Sequence, residues 1–384
     1  MPPSPTSDPL RRRMAVGVER TLQAAARALA HWRARRQADR HPPVAADLRG
    51  GRCHCPAGLA RHYVHSEGLR EACDLVIDFG SNVRAPHRPS VPVAHTAAAA
   101  AQLAPGAVVH VKTELLDAFI AQVLPRVRSP FVLVSGDSDA SAGARHEALL
   151  ADPRLVHWFV QNCDRPGRHP RLTRIPIGLD NPVYTKFEKR LGFALTMALG
   201  RTPFDPSIQR NDIGDQARLQ AVAATLPPPA ARPCRALATF HQNQKIIRPS
   251  LRDLPDRAEA WHALAQSPCC HFVSRRLRQE ECWTRHGDFA FELSPRGNGL
   301  DCFRTWEALL LGTIPIVRTS TLDPLYEDED LPVVIIRDWR EVTATALARW
   351  REELGGKLAG VERRLLLSTW VDRIRKASPG ASTR

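Results

Sequence analysis

The stretch Phe291–Val317, FELSPRGNGLDCFRTWEALLLGTIPIV, concentrates the residues best suited to binding chemistry. An apolar strand ending at Ser294 runs into Pro-Arg-Gly-Asn-Gly, a turn whose glycines (Gly297 and Gly299, flanking Asn298) let a backbone approach a ligand closely. Asp301 can cap a helix over 301–312. The N-terminus of that helix would offer unpaired N–H groups and a positive dipole end, which suit a phosphate. Asp301, Arg304 and Glu307 recur every three residues and share a polar face, whereas Phe303, Trp306 and Leu310 share an apolar one. Arg296 lies inside the turn, and Lys245 and Arg248 follow an earlier strand, so further cations could reach the same anion. The segment has neither the GKS/GKT of a Walker loop nor the G-x-G-x-x-G of a dinucleotide fold.

A second constellation, Asp137-Ser138-Asp139, follows the apolar run FVLVSG. Asp137 or Asp139 could act as a general base toward a hydroxyl, with His157 and Asp180 as further candidates. A strand-end D-x-D could instead hold a divalent cation on a diphosphate. Cys53-His54-Cys55 with His62 resembles half of a zinc site, but no second pair stands at zinc spacing, so the nine cysteines read as reduced thiols.

The elements that would position these residues alternate along the chain. Short β-branched runs occur at 74–79, 107–112, 131–137, 155–162 and 172–178, with helical segments at 115–127 and 144–150. A polar, proline-rich stretch at 201–234 interrupts the pattern. It then restarts with strands at 235–241, 271–274, 289–294, 313–317 and 332–336, and helices at 249–266, 301–312, 338–353 and 358–376. Continuous apolar strands imply parallel sheets covered on both faces. The expected organisation has five parts: a basic leader (1–45), a first α/β domain (46–200), a linker (201–234), a second α/β domain (235–355) and a C-terminal helix and tail (356–384). Two Rossmann-like domains would then face one central cleft, with ligands at the carboxyl ends of their strands.

The segment SPRGNGLDCFRTWEALLLGTIPIV closely resembles the C-terminal motif of exostosin-like glycosyltransferases, family 47 and its relatives. The likeness is strongest over 289–340 and weaker over 106–180 and 235–252; the first hundred residues carry none. The resemblance implies a GT-B fold, with a nucleotide-sugar donor (UDP- or GDP-type) on the second domain and inversion at the anomeric carbon. Arginines and helix ends, not a metal, would neutralise the leaving diphosphate. Lys245, Arg248, Ser294, Arg296, Gly297, Asn298, Gly299, Asp301, Arg304 and Glu307 would then line the donor site, Glu307 accepting hydrogen bonds from the ribose hydroxyls. The acceptor would be a glycan, a lipid-linked sugar or a protein. No cofactor or metal is expected beside the donor substrate. The competing transferase reading is a metal-dependent GT-A enzyme built on Asp137 and Asp139.

Composition gives a different first hint. The chain of 384 residues carries a formal charge of +14 and has six lysines against 48 arginines. Such a balance raises the alternative of a nucleic-acid or polyanion binder. Nine arginines lie within 1–45, however, and no aromatic-basic platform for single strands is visible, so no specific nucleic-acid partner is expected. Residues 14–37 read as a basic amphipathic helix that could touch a membrane surface. With neither a secretory signal nor an apolar span in the sequence, the expected location is cytoplasmic, at most peripheral to a membrane.

Overall fold

The structure is a computed structural model that describes residues 63–77, 93–179, 214–240, 256–274, 277 and 279–378. The leader helix expected at 14–37 and the Cys53/Cys55/His62 group lie outside the described residues. The fold is mixed α/β, with two five-stranded parallel sheets. In the first, β1 (Leu75–Ile77), β2 (Ala107–Lys112), β3 (Phe131–Gly136), β4 (Leu155–Val160) and β5 (Leu172–Arg174) lie side by side in chain order. The second holds β6 (Ala236–Ala238), β7 (Cys270–Phe272), β8 (Phe291–Leu293), β9 (Ile314–Arg318) and β10 (Val334–Ile336), in the spatial order β10-β9-β8-β6-β7. Each of the ten strands falls inside an expected run or overshoots it by one residue, but most are shorter than expected; β5, for example, ends at Arg174 where the expected run continues to 178. Their residues explain the agreement: β3 is buried along its whole length, so it can present apolar side chains to both faces.

Ten α-helices are described: α1 (Ser66–Glu71), α2 (Val93–Ala100), α3 (Gly214–Thr225), α4 (Asp256–Leu264), α5 (Gln279–Arg285), α6 (Phe303–Leu310), α7 (Asp323–Asp328), α8 (Ala344–Leu354), α9 (Val361–Arg364) and α10 (Leu367–Lys376), besides one α turn at Leu116–Ala118. Two expected helices differ in kind. Residues 113–126 form a succession of 3-10, α and π turns, ending where Pro125 has no N–H to continue a regular ladder. Residues 144–151 form 3-10 turns kinked at His146. The expected linker also contains an element: α3 lies within 201–234, burying Leu219 and using Gln216 to accept the Tyr63 N–H at 2.9 Å. The helix expected over 338–353 is divided because Asp338 and Glu341 close a capping box on a short 3-10 turn, after which Thr343 caps α8.

The two sheets share one hydrophobic core. It runs from the first sheet through Trp306 and Leu309 of α6 to Trp370, Val371 and Ile374 of α10. A second core lies on the other face of the second sheet, where Phe291, Leu293, Ile314 and Ile316 meet Leu264, Trp339 and Leu347. The last described helix therefore returns to the first half. Val64 donates its N–H to Leu365 O at 2.7 Å, and Arg375 pairs with Asp74 at 2.9 Å. Among the described residues no helix is long and apolar enough to cross a membrane.

Gly178 fixes the seam between β5 and the segment before α1. Its φ is +70°, and a Cβ there would lie 1.9 Å from Val64 O, a backbone atom that already accepts the Leu179 N–H. Gly178→Ala should therefore lower stability by more than about 1 kcal/mol. Urea unfolding of the variant measures this, and an unchanged midpoint would contradict the packing described.

Candidate functional site

In the second sheet the chain passes from β6 to β7 on one side and then crosses to β8 on the other. The crevice at the carboxyl ends of β6 and β8 is therefore the topological switch point, the usual ligand position in open parallel sheets. Residues 294–302, the turn singled out in the sequence, leave β8 at this place and lead into α6.

Side chains from three elements fix the turn. Ser294 is buried; its hydroxyl lies 2.9 Å from Thr305 Oγ1 and 3.3 Å from Cys302 Sγ, which ties the strand end to the first turn of α6. Asp256, at the start of α4, accepts the Arg296 N–H at 2.9 Å on one oxygen and the Trp339 indole N–H at 2.9 Å on the other. Arg257 donates from Nε to Arg296 O at 3.1 Å, and Arg304 donates to Pro295 O at 3.0 Å. Three guanidinium-bearing residues, Arg257, Arg296 and Arg304, thus gather on one glycine-containing turn. Burial and the neighbouring Arg304 cation pull the pKa of Arg257 down to about 10, which still leaves it charged at neutral pH. The Arg304 guanidinium also lies 5.8 Å from the centre of the Phe240 ring. Glu307, one turn further along α6, accepts from Gln279 at 3.2 Å.

Neither Gly297 nor Gly299 has a positive φ. Gly299 leaves room for a side chain of the first half: a Cβ there would lie 2.9 Å from Asn162 Oδ1. Asn162, just beyond β4, has a φ of +49°, accepts the Asp301 N–H at 2.7 Å and donates to Ser138 O at 2.7 Å.

Asp301 also departs from its expected place on the polar face of the helix. The helix begins at Phe303 with Cys302 as its N-cap, and the Asp301 carboxylate is directed into the protein. It accepts the backbone N–H groups of Ile177 and Cys302, both at 2.8 Å, and the Trp306 indole N–H at 2.9 Å. Burial raises its pKa to about 7, against the pull of these donors. It is a joint between the halves and makes no surface for a ligand.

Across the gap, the Asp137 carboxylate faces Lys112 at 3.0 Å and Arg70 at 3.9 Å. These cations, outweighing burial, hold its pKa below the usual carboxylate range. Asp139 extends further and accepts from Asn298 of the glycine turn at 3.4 Å. His157 stands in the first half of β4, bonded to Thr173 Oγ1 at 2.8 Å, and burial pulls its pKa down to about 4. It lies about 10 Å of strand away from the carboxyl end near which Asn162 sits. Lys245, Arg248 and Asp180 lie outside the described residues. Among those described, no three His, Cys, Asp or Glu side chains gather as a metal site would require.

Four residues of this region are not singled out by the sequence: Asn162, Arg257, Lys112 and Glu292. Glu292 does carry a signal, since a charged residue inside the otherwise apolar FEL strand must be buried or at an edge. A scan against protein-family models finds no match to the chain, and a search of curated proteins finds none either.

Asp301→Asn would put an N–H₂ where only donors point, leaving at least one buried donor without an acceptor. The expected cost is about 1–3 kcal/mol. Chemical denaturation measures it; a variant as stable as the parent would show that the carboxylate does not join the halves.

Proposed function

We propose that the chain is an inverting glycosyltransferase of GT-B architecture, similar to the exostosin-like enzymes, which takes a sugar from a UDP- or GDP-type donor. One observation supports this most strongly. The arginine-lined turn 294–302 sits at the switch point of the second sheet and meets Asp139 at a strand end of the first. A nucleotide sugar at the turn would place its diphosphate against Arg304, Arg296, Arg257 and the N-terminus of α6, and its anomeric carbon toward the first half.

The reaction then follows from the charges. The acceptor hydroxyl oxygen forms a bond to the anomeric carbon as the bond from that carbon to the diphosphate oxygen breaks. The leaving diphosphate keeps the electron pair, and the guanidiniums and helix dipole neutralise its growing charge. The hydroxyl proton goes to a carboxylate of the first half. Asp139 suits that task better than Asp137, whose charge is already satisfied by Lys112 and Arg70. The same two cations disfavour a D-x-D metal site, because a divalent ion at Asp137 would have to displace them. Glu307 would accept hydrogen bonds from the ribose, and a glycan, lipid-linked sugar or protein would serve as acceptor.

Thermal-shift titration with UDP, GDP, CMP and ADP tests the reading. At least one nucleoside diphosphate should raise the melting temperature of the full-length protein. Arg304→Ala should weaken its binding by about 10- to 100-fold, the worth of a hydrogen bond to a charged group. Glu307→Gln should weaken the nucleotide while leaving inorganic pyrophosphate unaffected. A protein that responds to none of these ligands would overturn the proposal.

A further inference from the structure

Glu292 occupies an unusual position behind the anion site. On β8 the side chains alternate, so Phe291 and Leu293 enter the second core while Glu292 faces the opposite side, toward α5 and α6. It is completely buried. One oxygen accepts from Thr239 Oγ1 at 2.6 Å and lies 3.7 Å from Arg304 Nε. The other lies 3.7 Å from His286 Nε2 and has no hydrogen-bond partner. Arg304 thus lies between the Pro295 carbonyl of the turn in front and the buried carboxylate behind.

We propose that Glu292 is a positioning residue for this site: it holds the Arg304 guanidinium against the glycine turn, and its protonation state sets how much of that cation's charge remains for a diphosphate. The inference rests on the reading of the turn as a diphosphate site.

The surrounding groups leave Glu292 as the one that changes charge just above neutral pH. Burial pushes its pKa up to about 8, with Arg304 and Thr239 pulling downward and Glu307 upward. His286, bonded at Nδ1 to Thr313, is held neutral: burial, then Arg232 and Arg304, bring its pKa down to about 3. On α5, burial and the charges of Glu292 and Glu307 push the Cys282 thiol up to about 12. Below about pH 8 Glu292 is therefore neutral, and Arg304 faces the turn uncompensated. Above it, the carboxylate pairs with Arg304 and repels a diphosphate. Affinity should fall as pH rises through the folded pKa.

The experiment measures UDP and GDP affinity by calorimetry from about pH 7 to about pH 9, on the full-length protein and on Glu292→Gln. In the wild type affinity should drop about fivefold over that range, as one pKa unit of coupling between proton and ligand gives about tenfold between the low- and high-pH limits. Glu292→Gln, which keeps the acceptor for Thr239 but cannot ionise, should bind almost equally at both ends, and Glu292→Asp should restore the decline. A wild type with Arg304-dependent binding but a flat profile would overturn the role of Glu292 while leaving the site intact. A decline that persists in Glu292→Gln would overturn that role equally. If the wild type binds neither nucleotide, the site assignment fails and this inference with it. If Glu292→Gln folds poorly, a flat wild-type profile still overturns the role, and a wild-type decline that Glu292→Asp keeps while Arg304→Ala loses it supports it.

Discussion

A carboxylate removed from water must be surrounded by donors or give up its charge. Asp301 meets this demand with N–H groups from three places: Ile177 beyond β5, Cys302 at the start of α6, and the Trp306 ring within it. Its own N–H is held by Asn162, beyond β4. One residue of the second half is thereby bonded twice to the first. The end of the turn 294–302, the start of α6 and the carboxyl ends of β4 and β5 are fixed relative to one another by this one buried group. Trp306, which donates to it, is itself part of the core that both sheets share.

The remaining features of the site depend on that joint. Because the turn cannot move freely, its carbonyls can orient arginines: Pro295 O receives Arg304 and Arg296 O receives Arg257. Each of these cations is thereby tied to the turn by a hydrogen bond. The first half is similarly fixed, with Gln161 accepting the Asp137 N–H at 2.8 Å where a Cβ on Gly136 would collide with it. Of the 48 arginines, nine lie in the leader and three, Arg257, Arg296 and Arg304, meet at residues 294–302; the rest are spread over the chain.

Much of this arrangement is legible in the sequence, for identifiable reasons. The strands are apolar runs bounded by polar or glycine residues, and periodicity finds such runs. The turn after β8 stands out because proline, arginine and glycine there contrast with the strand and helix on either side. The features that the sequence hides all depend on distant partners. Asp301 lies just ahead of a helix and suggests a cap, but Ile177, 124 positions earlier in the chain, turns its carboxylate inward. Gly299 suggests space for a ligand, yet Asn162 fills it. α3 escapes notice because its sequence, GDQARLQAVAAT, is largely alanine and polar, without a clear apolar stripe. Glu292 stands out as a charge in an apolar strand, but only the sheet order reveals that its neighbours across the strands are the buried Leu237 of β6 and Pro315 of β9.

The central claim is that residues 294–302 receive a diphosphate. Hydrogen–deuterium exchange of the full-length protein, with and without saturating UDP or GDP, tests it without relying on any substitution. Slower exchange in the segment 294–305, accompanied by a smaller effect at 136–140, is the expected result. Unchanged exchange there, with protection appearing instead around the groove lined by Leu219, Pro229, Leu310 and Leu358, would contradict it and move the ligand away from the glycine turn.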